Sequence, residues 1–230
     1  SHDYLGGGTT GTVWDGFFYK LYGGDATVLT ANANSSNAGQ LTFSSTWGNW
    51  ENAADDGILL YKTVTGDFDA AVQIISMNNV NWHDAGIMAR VANLDDAGPG
   101  EDWVAVKHFT FDNMNSQRST DNGTSSYVPA SGVAQPWLRL TRVGNVFTSY
   151  RSADGATWSQ ISAISRTDMN GLAVQVGLWQ ATFSENQGNT LFDNFSLRII
   201  PAWKLSTGES WTNASNWTQG VPGGQADWAV

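Results

Sequence analysis

Apolar and polar residues alternate over short stretches through most of the chain. The stretch 67–75 carries an apolar side chain at every second position, and the stretch 85–91 sets Met88 and Arg90 opposite three aliphatic residues. A period of two is that of a β-strand, in which successive side chains point to opposite faces. A cationic side chain that shares a face with a methionine indicates that this face is not ordinary core.

Stretches of the same kind follow one another, separated by turn signals. Gly144-Asn145 and Asp154-Gly155 are dipeptides typical of tight turns, and helical periodicity is almost absent. The further predicted strands include residues 58–62, 103–109, 137–142, 146–151, 173–179 and 191–198. Many short strands with regular turns predict an all-β fold, in which two antiparallel sheets pack as a sandwich.

Length and composition support one large sandwich. The chain has 230 residues, of which 25 are Gly and 14% are charged. Poor helix formers dominate, and a chain of this length buries one sizeable core, so residues 1–200 are predicted to form a single domain. The character changes at Pro201. Residues 201–230 resemble the opening unit of secreted bacterial proteins that continue into a β-helix or repeats, and are predicted to be a tail or a truncated second module.

The charge balance narrows the range of partners. The formal net charge is -10, which argues against nucleic acid, because phosphates need a basic surface. It suits a neutral ligand or calcium. There are no cysteines, and no run approaches the roughly 18 apolar residues of a membrane span. Few Lys and Glu beside many Asn, Thr, Gly and Trp indicate a secreted or cell-surface protein.

Tryptophan is the most informative residue type for function. There are twelve, and Trp47, Trp50 and Trp82 stand in polar segments without apolar neighbours. Sugar rings stack their apolar faces on aromatic side chains, so these three are the stacking candidates. Trp179 lies in a strand with Gln175 and could face the same groove. Tryptophans that begin strands are expected to cap the core: Trp103, Trp137 and Trp158.

Polar residues within strands supply the remaining binding candidates. Arg90, Lys107, Arg139 and Gln175 each alternate with apolar neighbours, and His83 follows the Trp82 loop. They would read sugar hydroxyls if they converge on one concave surface. The alternative is that they form the solvent face of a half-buried sheet, which alternation also predicts.

Several motifs occur in an order that resembles a known family. They are Gly66-Asp67-Phe68, residues 84–90, residues 137–145, residues 152–158, Val176-Gly177-Leu178 and Phe192-Asp193-Asn194-Phe195. Over about residues 55–198 the chain resembles the concanavalin A-like jelly rolls. The most similar branch holds laminin-G-like domains and accessory modules of bacterial glycoside hydrolases. The resemblance implies two curved sheets with a concave face that commonly holds a sugar.

The resemblance also implies a structural calcium ion. In many relatives an aspartate placed like Asp193 holds calcium between the last strand and the start of the domain. Asp193 is expected to point inward, and a buried carboxylate is costly unless it is paired or bound to a metal. Asp15 and Asp67 are the candidate co-ligands. The alternative is a carboxylate that accepts hydrogen bonds from backbone amides.

Enzymatic alternatives have weaker support from the residues. Glucanases of this fold resemble one another in a Glu-x-Asp-x-Glu strand, which is absent here, and Asp67 with Asp69 is the nearest substitute. A lyase would need a His or Tyr base beside Arg and Gln groups, and uronate substrates do not suit the acidic charge.

The sequence therefore predicts a non-catalytic, lectin-like module of a secreted bacterial protein. It would bind a neutral polysaccharide and form part of a larger multidomain protein. A glycoside hydrolase or polysaccharide lyase on the same fold is the first alternative, and a structural or adhesion domain of a surface protein is the second.

Overall fold

Two antiparallel sheets form the computed structural model of the chain. It describes residues 2–3, 8–20, 28–50, 56–92, 102–201, 210 and 212–217. Within these residues there are fifteen strands and one 3-10 helix, Ala214–Asn216. The prediction of an all-β, two-sheet jelly-roll sandwich is confirmed.

The larger sheet has eight strands. In spatial order they are β1 (His2–Asp3), β3 (Val28–Ala33), β4 (Leu41–Ser45), β15 (Gly188–Ile200), β6 (Asp67–Met77), β11 (Trp137–Val143), β12 (Val146–Ser152) and β13 (Ser159–Ser165). β15 and β6 lie at its centre and pair antiparallel, although they are more than a hundred residues apart.

The smaller sheet has seven strands. In spatial order they are β10 (Thr124–Pro129), β9 (Met114–Asp121), β8 (Asp102–Phe109), β7 (His83–Val91), β14 (Ala173–Thr182), β5 (Gly57–Thr65) and β2 (Gly16–Lys20). The strand at residues 85–91 predicted from alternation is β7, which lies at the middle of this sheet.

The main core fills the space between the sheets. From β7 it takes Ala85, Ile87 and Ala89, which alternate with Met88 and Arg90 on the other side of the strand. The main core also includes Phe43, Phe68, Val106, Leu140, Phe147, Leu178, Phe192 and Leu197. The predicted alternation in this strand is confirmed, because its aliphatic residues face the opposite sheet.

A second apolar cluster covers the outer face of the seven-stranded sheet. Its buried members are Trp50, Leu59, Met88, Trp103, Ala105, Trp179 and Ala181. This sheet is therefore packed on both sides along part of its length. We call the side away from the core the outer face.

The C-terminal part of the chain is described only in pieces. Most of residues 201–230, the predicted tail or second module, lies outside the described residues. Asn216 and Trp217, which are described, are both buried. In the described part of the chain no helix has the length and apolar character needed to span a membrane.

Candidate functional site: a groove on the outer face

The candidate site is a groove of about 520 Å³ on the outer face of the seven-stranded sheet. It lies where β7 begins and where β8 and β14 end. Its lining residues come from the strands and from the loops at this end of the sheet: Gly48, Asn49, Trp50, Trp82, Asp84, Lys107, Phe109, Asp112, Arg118, Tyr127, Ala181 and Phe183. The volume lies within the range of about 300–1,000 Å³ that is typical of ligand sites.

An aromatic rim borders the groove. Trp82 is 48% exposed and lies parallel to Phe111, with ring centroids 5.6 Å apart and an interplanar angle of 3°. Phe109 lies 5.7 Å from Trp82, and Phe183 packs edge-on against Trp47. Large exposed aromatic surface is uncommon on a soluble protein unless it binds something. We call these five residues the aromatic rim.

Two residues of the rim have a left-handed backbone. Trp47 has φ of 44° and Trp82 has φ of 54°. This conformation is costly for a bulky side chain and persists where the surroundings enforce it, often at ligand sites. Here the end of β14 holds both residues, because the Phe183 N–H donates to the Trp82 carbonyl and the Trp47 N–H donates to the Ser184 carbonyl.

A buried ion pair forms the polar part of the groove. Lys107 Nζ lies 2.7 Å from Asp84 Oδ1, and the side chains are 2% and 18% exposed. The ammonium also lies 4.7 Å from the Phe109 ring centroid. Among the described residues, Oδ2 of Asp84 has no hydrogen-bond donor. The pair therefore offers a carboxylate oxygen that can accept a ligand hydroxyl beside an aromatic ring.

The hairpin of β9 and β10 closes the far side of the groove. Arg118 and Tyr127 are register partners, and the guanidinium lies 6.0 Å from the Tyr127 ring. Burial raises the pKa of Tyr127, so its hydroxyl stays protonated; it donates to Sδ of Met114 at 3.3 Å, and its oxygen can accept a further hydrogen bond. With Asp112 and Asp84 opposing Arg118 and Lys107, the groove lining carries two charges of each sign.

Three of the predicted binding residues share this face but do not line the groove. The Arg90 guanidinium is buried 3.9 Å from the Phe18 ring centroid, and Gln175 is its register partner. Trp179 is 1% exposed. Trp50 does line the groove, yet it is only 3% exposed, because it packs against Trp103 and the Arg90 guanidinium. These side chains support the floor of the site and offer little surface for stacking.

Arg139 and His83 lie elsewhere. Arg139 is on the outer face of the eight-stranded sheet, where its guanidinium donates to both carboxylate oxygens of Asp69 at 2.7 and 2.5 Å. His83 is fully buried on the core side of β7. The condition that these polar residues converge on one surface is therefore not met for Arg139, because alternation does not reveal which sheet a strand joins.

The predicted calcium ligands do not assemble. A bulge between Asp193 and Ser196 in β15 shifts the alternation, so Asp193 is half-buried instead of inward-facing. Its carboxylate accepts from the Gln40 side chain and from the Asn194 N–H. Asp15 accepts from the Thr63 N–H and Asp67 from the Gly144 N–H, each at 2.7 Å.

Only one group of three acids that could hold a metal occurs among the described residues: Asp102, Asp121 and Asp168. Arg166 lies 2.6 Å from Asp168 and 3.5 Å from Asp102, so one guanidinium already offsets part of the charge of this group. Calcium stays a prediction. If calcium binds the folded chain, chelation should lower the melting temperature measured by calorimetry, and an unchanged melting curve would count against calcium.

The catalytic substitutes considered above lie outside the groove. Asp69 pairs with Arg139, and Asp67 is bound by the Gly144 N–H. Sequence reasoning missed several groove residues: Asp84, Phe109, Phe111, Asp112, Arg118, Tyr127 and Phe183. Asp84 could have been found from the sequence, because alternation along β7 places it on the same face as Met88 and Arg90.

Comparison with protein families gives one match. The family described as "Protein of unknown function (DUF1349)" matches residues 31–199. The chain belongs to this DUF1349 family. The matched range covers most of the sandwich, including every strand that contributes to the groove. No curated protein matches the chain significantly.

Solved structures share the fold of this DUF1349 member. A functionally unknown protein from Saccharomyces cerevisiae is 23% identical with a TM-score of 0.59, covering 80% of this chain and 95% of its own. A GH43 protein from Bacillus licheniformis is 15% identical with a TM-score of 0.58, covering 80% of this chain and 39% of its own.

A xylan β-1,4-xylosidase from Bacillus halodurans has a TM-score of 0.50 at 13% identity, covering 70% of this chain and 33% of its own. The chain thus spans well under half of both Bacillus proteins. At these identities the likeness establishes the fold, a jelly-roll sandwich of the concanavalin A-like type. It does not show that the chain belongs to the laminin-G-like branch, and that membership stays a prediction.

Proposed function

We propose that this DUF1349 domain is a non-catalytic carbohydrate-binding module that holds a neutral polysaccharide in the outer-face groove. The observation that carries the proposal is that the exposed Trp82, stacked parallel to Phe111, lines the same groove as the Asp84–Lys107 pair. An apolar shelf next to a few convergent polar groups is the general design of a ligand site.

The chemistry of the groove suits a sugar ring. The apolar C–H face of a pyranose packs on aromatic surface, here the rim at Trp82 and Phe111. Asp84 Oδ2 accepts a hydrogen bond from one hydroxyl and the Tyr127 hydroxyl oxygen accepts from another, while Arg118 donates to ring or hydroxyl oxygens. Two acceptors and a donor around one groove would orient the sugar.

The balance of charges favours a neutral glycan. Two cations and two carboxylates line the groove, so its local charge is near zero, and the whole chain carries -10. A polyanionic chain such as a uronate polymer would be repelled at long range by the acidic protein. Neutral β-glucans, xylans and mannans are therefore the ligands to test first.

The comparisons are consistent with a carbohydrate context. The two Bacillus proteins that share the fold are a GH43 protein and a xylan β-1,4-xylosidase, and this chain matches only a third to two fifths of each. A module of this kind would belong to a larger secreted bacterial protein of the laminin-G-like branch. The larger protein, its secretion, its bacterial origin and the laminin-G-like branch are all part of the proposal.

The deciding experiment is binding of the wild-type chain to neutral polysaccharides, measured by affinity electrophoresis and calorimetry. We expect Trp82→Ala to weaken binding roughly fivefold, because one aromatic contact contributes on the order of 1 kcal/mol and 1.4 kcal/mol is tenfold in affinity. Tyr19→Ala, an equally exposed aromatic residue on β2, is the matched control and should bind normally. No binding to any glycan on a broad array would sink the proposal.

A glycoside hydrolase is the second candidate, because Asp84 and Asp112 line the same groove. Hydrolysis with retention or inversion needs two carboxyl groups that flank the bond to be cleaved. Incubation with the same polysaccharides separates the candidates. If the wild type releases oligosaccharides and both Asp84→Asn and Asp112→Asn abolish the release, the protein is a glycoside hydrolase and the proposal of a non-catalytic module is wrong.

A further inference from the structure

His83 is buried directly behind the aromatic rim. It follows Trp82 at the first position of β7 and has no exposed surface. Its Nδ1 lies 3.0 Å from the main-chain oxygen of Asn78, and its Nε2 lies 3.0 Å from Oγ1 of Thr190. One imidazole ring therefore joins the start of the segment 78–82 to β15 in the opposite sheet.

The partners of His83 determine its tautomer. A main-chain oxygen can only accept a hydrogen bond, so Nδ1 carries the hydrogen and donates to Asn78. Nε2 then accepts from the hydroxyl of Thr190. Burial lowers the pKa of His83, which keeps the ring neutral, and only a neutral ring has an Nε2 that can accept from Thr190. Both ring nitrogens therefore have a partner, and the Gln180 side chain also interacts with the ring.

Asn78 fixes the first end of the segment. Its N–H donates to the Asn189 carbonyl at 3.2 Å, and the Asn189 N–H donates back to Asn78 Oδ1 at 2.6 Å. The amide of Asn78 also donates to the Gln187 carbonyl at 2.8 Å. The main-chain oxygen of Asn78, which accepts from His83, is therefore held against β15.

Trp82 is at the second end, where the backbone is left-handed. Its carbonyl accepts from the Phe183 N–H at 3.1 Å, and Thr110 donates through its hydroxyl to Val80 and through its N–H to His83. A strained conformation at a bulky residue needs such surrounding bonds to persist. The hydrogen bond from His83 to Asn78 spans the segment and closes it into a loop.

We propose that His83 is a positioning residue for the groove: its Nδ1–H bond to Asn78 closes the segment 78–83 and holds Trp82 in the left-handed conformation that sets its indole parallel to Phe111. The histidine itself does not touch the ligand. The effect of His83 on glycan binding rests on the proposed function. The effect of His83 on the conformation of the Trp82 indole does not depend on any ligand.

Two substitutions separate the two hydrogen bonds of the ring. His83→Asn places an amide N–H where Nδ1 was, so it can still donate to Asn78. His83→Gln places its amide near the former Nε2 and leaves the Asn78 oxygen without its side-chain donor. Thr190→Val is the matched control, because it removes only the Nε2 partner.

The readout is the indole N–H resonance of Trp82 in protein labelled with ¹⁵N-tryptophan, assigned by its loss in Trp82→Phe. We expect the resonance to shift or split in His83→Gln and to stay close to wild type in His83→Asn and Thr190→Val. Binding to a soluble β-glucan, xylan or mannan that the wild type retains should weaken roughly fivefold in His83→Gln, the equivalent of one lost hydrogen bond.

Each outcome is decisive. An unchanged Trp82 resonance in folded His83→Gln overturns the positioning role. If the resonance moves but the wild type binds no polysaccharide, the positioning role stands and the proposed function fails. If the histidine variants do not fold, the ¹⁵N shifts of the His83 ring in the wild-type protein test the same bond, because the proposal requires the hydrogen on Nδ1. A His83 ring whose Nδ1 carries no hydrogen also overturns the proposal.

Discussion

Lys107 shows how a single residue can contribute to both stability and recognition. Its side chain is 2% exposed, and its ammonium lies 2.7 Å from an Asp84 oxygen. Removing one partner of a buried pair leaves an uncompensated charge, whereas removing both avoids that cost. Because Asp84 is partly open to the groove, water relieves part of the penalty. The pair is thus a stable polar element whose outer oxygen remains available.

We expect Lys107→Met to lower the free energy of unfolding by about 2 kcal/mol, less than the 3–5 kcal/mol typical of a fully buried pair. The double variant Lys107→Met with Asp84→Asn should recover most of that loss. Urea unfolding followed by tryptophan fluorescence measures both. If Lys107→Met alone were as stable as the wild type, the Asp84–Lys107 pair would not contribute to stability.

At the scale of the elements, strand contacts on the outer face depend on small residues. Gly177 of β14 lies so near β5 that an added Cβ would be 1.8 Å from the Leu60 carbonyl oxygen and 2.7 Å from the Tyr61 Cα. Gly86 of β7 is similar, with a Cβ position 2.1 Å from the Val106 carbonyl oxygen. Both are close approaches to backbone, which cannot move aside as a side-chain end can.

Gly177→Ala should therefore destabilise the sandwich by about 2 kcal/mol or more, because the strand has to shift against its neighbour. Ala173→Ser, at an exposed position of the same strand, is the control and should change stability by less than about 0.5 kcal/mol. Thermal and urea unfolding compare the two. Equal stability of Gly177→Ala and the wild type would contradict the close approach.

At the scale of the whole molecule, the fully buried His83 and the partly buried His108 make stability depend on pH. The pKa values of His83 and His108 are lowered, chiefly by burial; Asp84 opposes this shift at both, and the His83 ring lowers the pKa of His108 further. The unfolded chain therefore binds more protons than the native state just below the ordinary histidine pKa of 6.5. Stability is fully present above that pH and is lost as the pH falls through the native values.

We expect the free energy of unfolding to decline between about pH 7 and pH 5, and to decline less in His83→Asn. Asp154 does not contribute in this window, because backbone N–H groups of Thr157 and Ala156 hold its pKa far below the usual range. Urea unfolding across the pH series is the measurement. An equal slope in the wild type and the variant would exclude His83 as the source.

Much of the fold could be predicted from the sequence by itself. The antiparallel sandwich was predicted from three local signals: alternation in 67–75 and 85–91, turn dipeptides, and the small number of good helix formers. Alternation can be detected in the sequence because a period of two is a local property of strands. Trp82 was singled out for the same local reason, as an aromatic residue in a polar segment, and it is exposed in the groove.

Tertiary structure alone decided which side chains meet. Arg139 and Lys107 alternate alike, yet they lie on different sheets, and a bulge in β15 moved Asp193 off its expected face. The groove joins β7 to the hairpin of β9 and β10, so Asp84, Arg118 and Tyr127 become neighbours only through strand order. Sheet order and register depend on contacts between distant residues, which a pattern read along one strand does not contain.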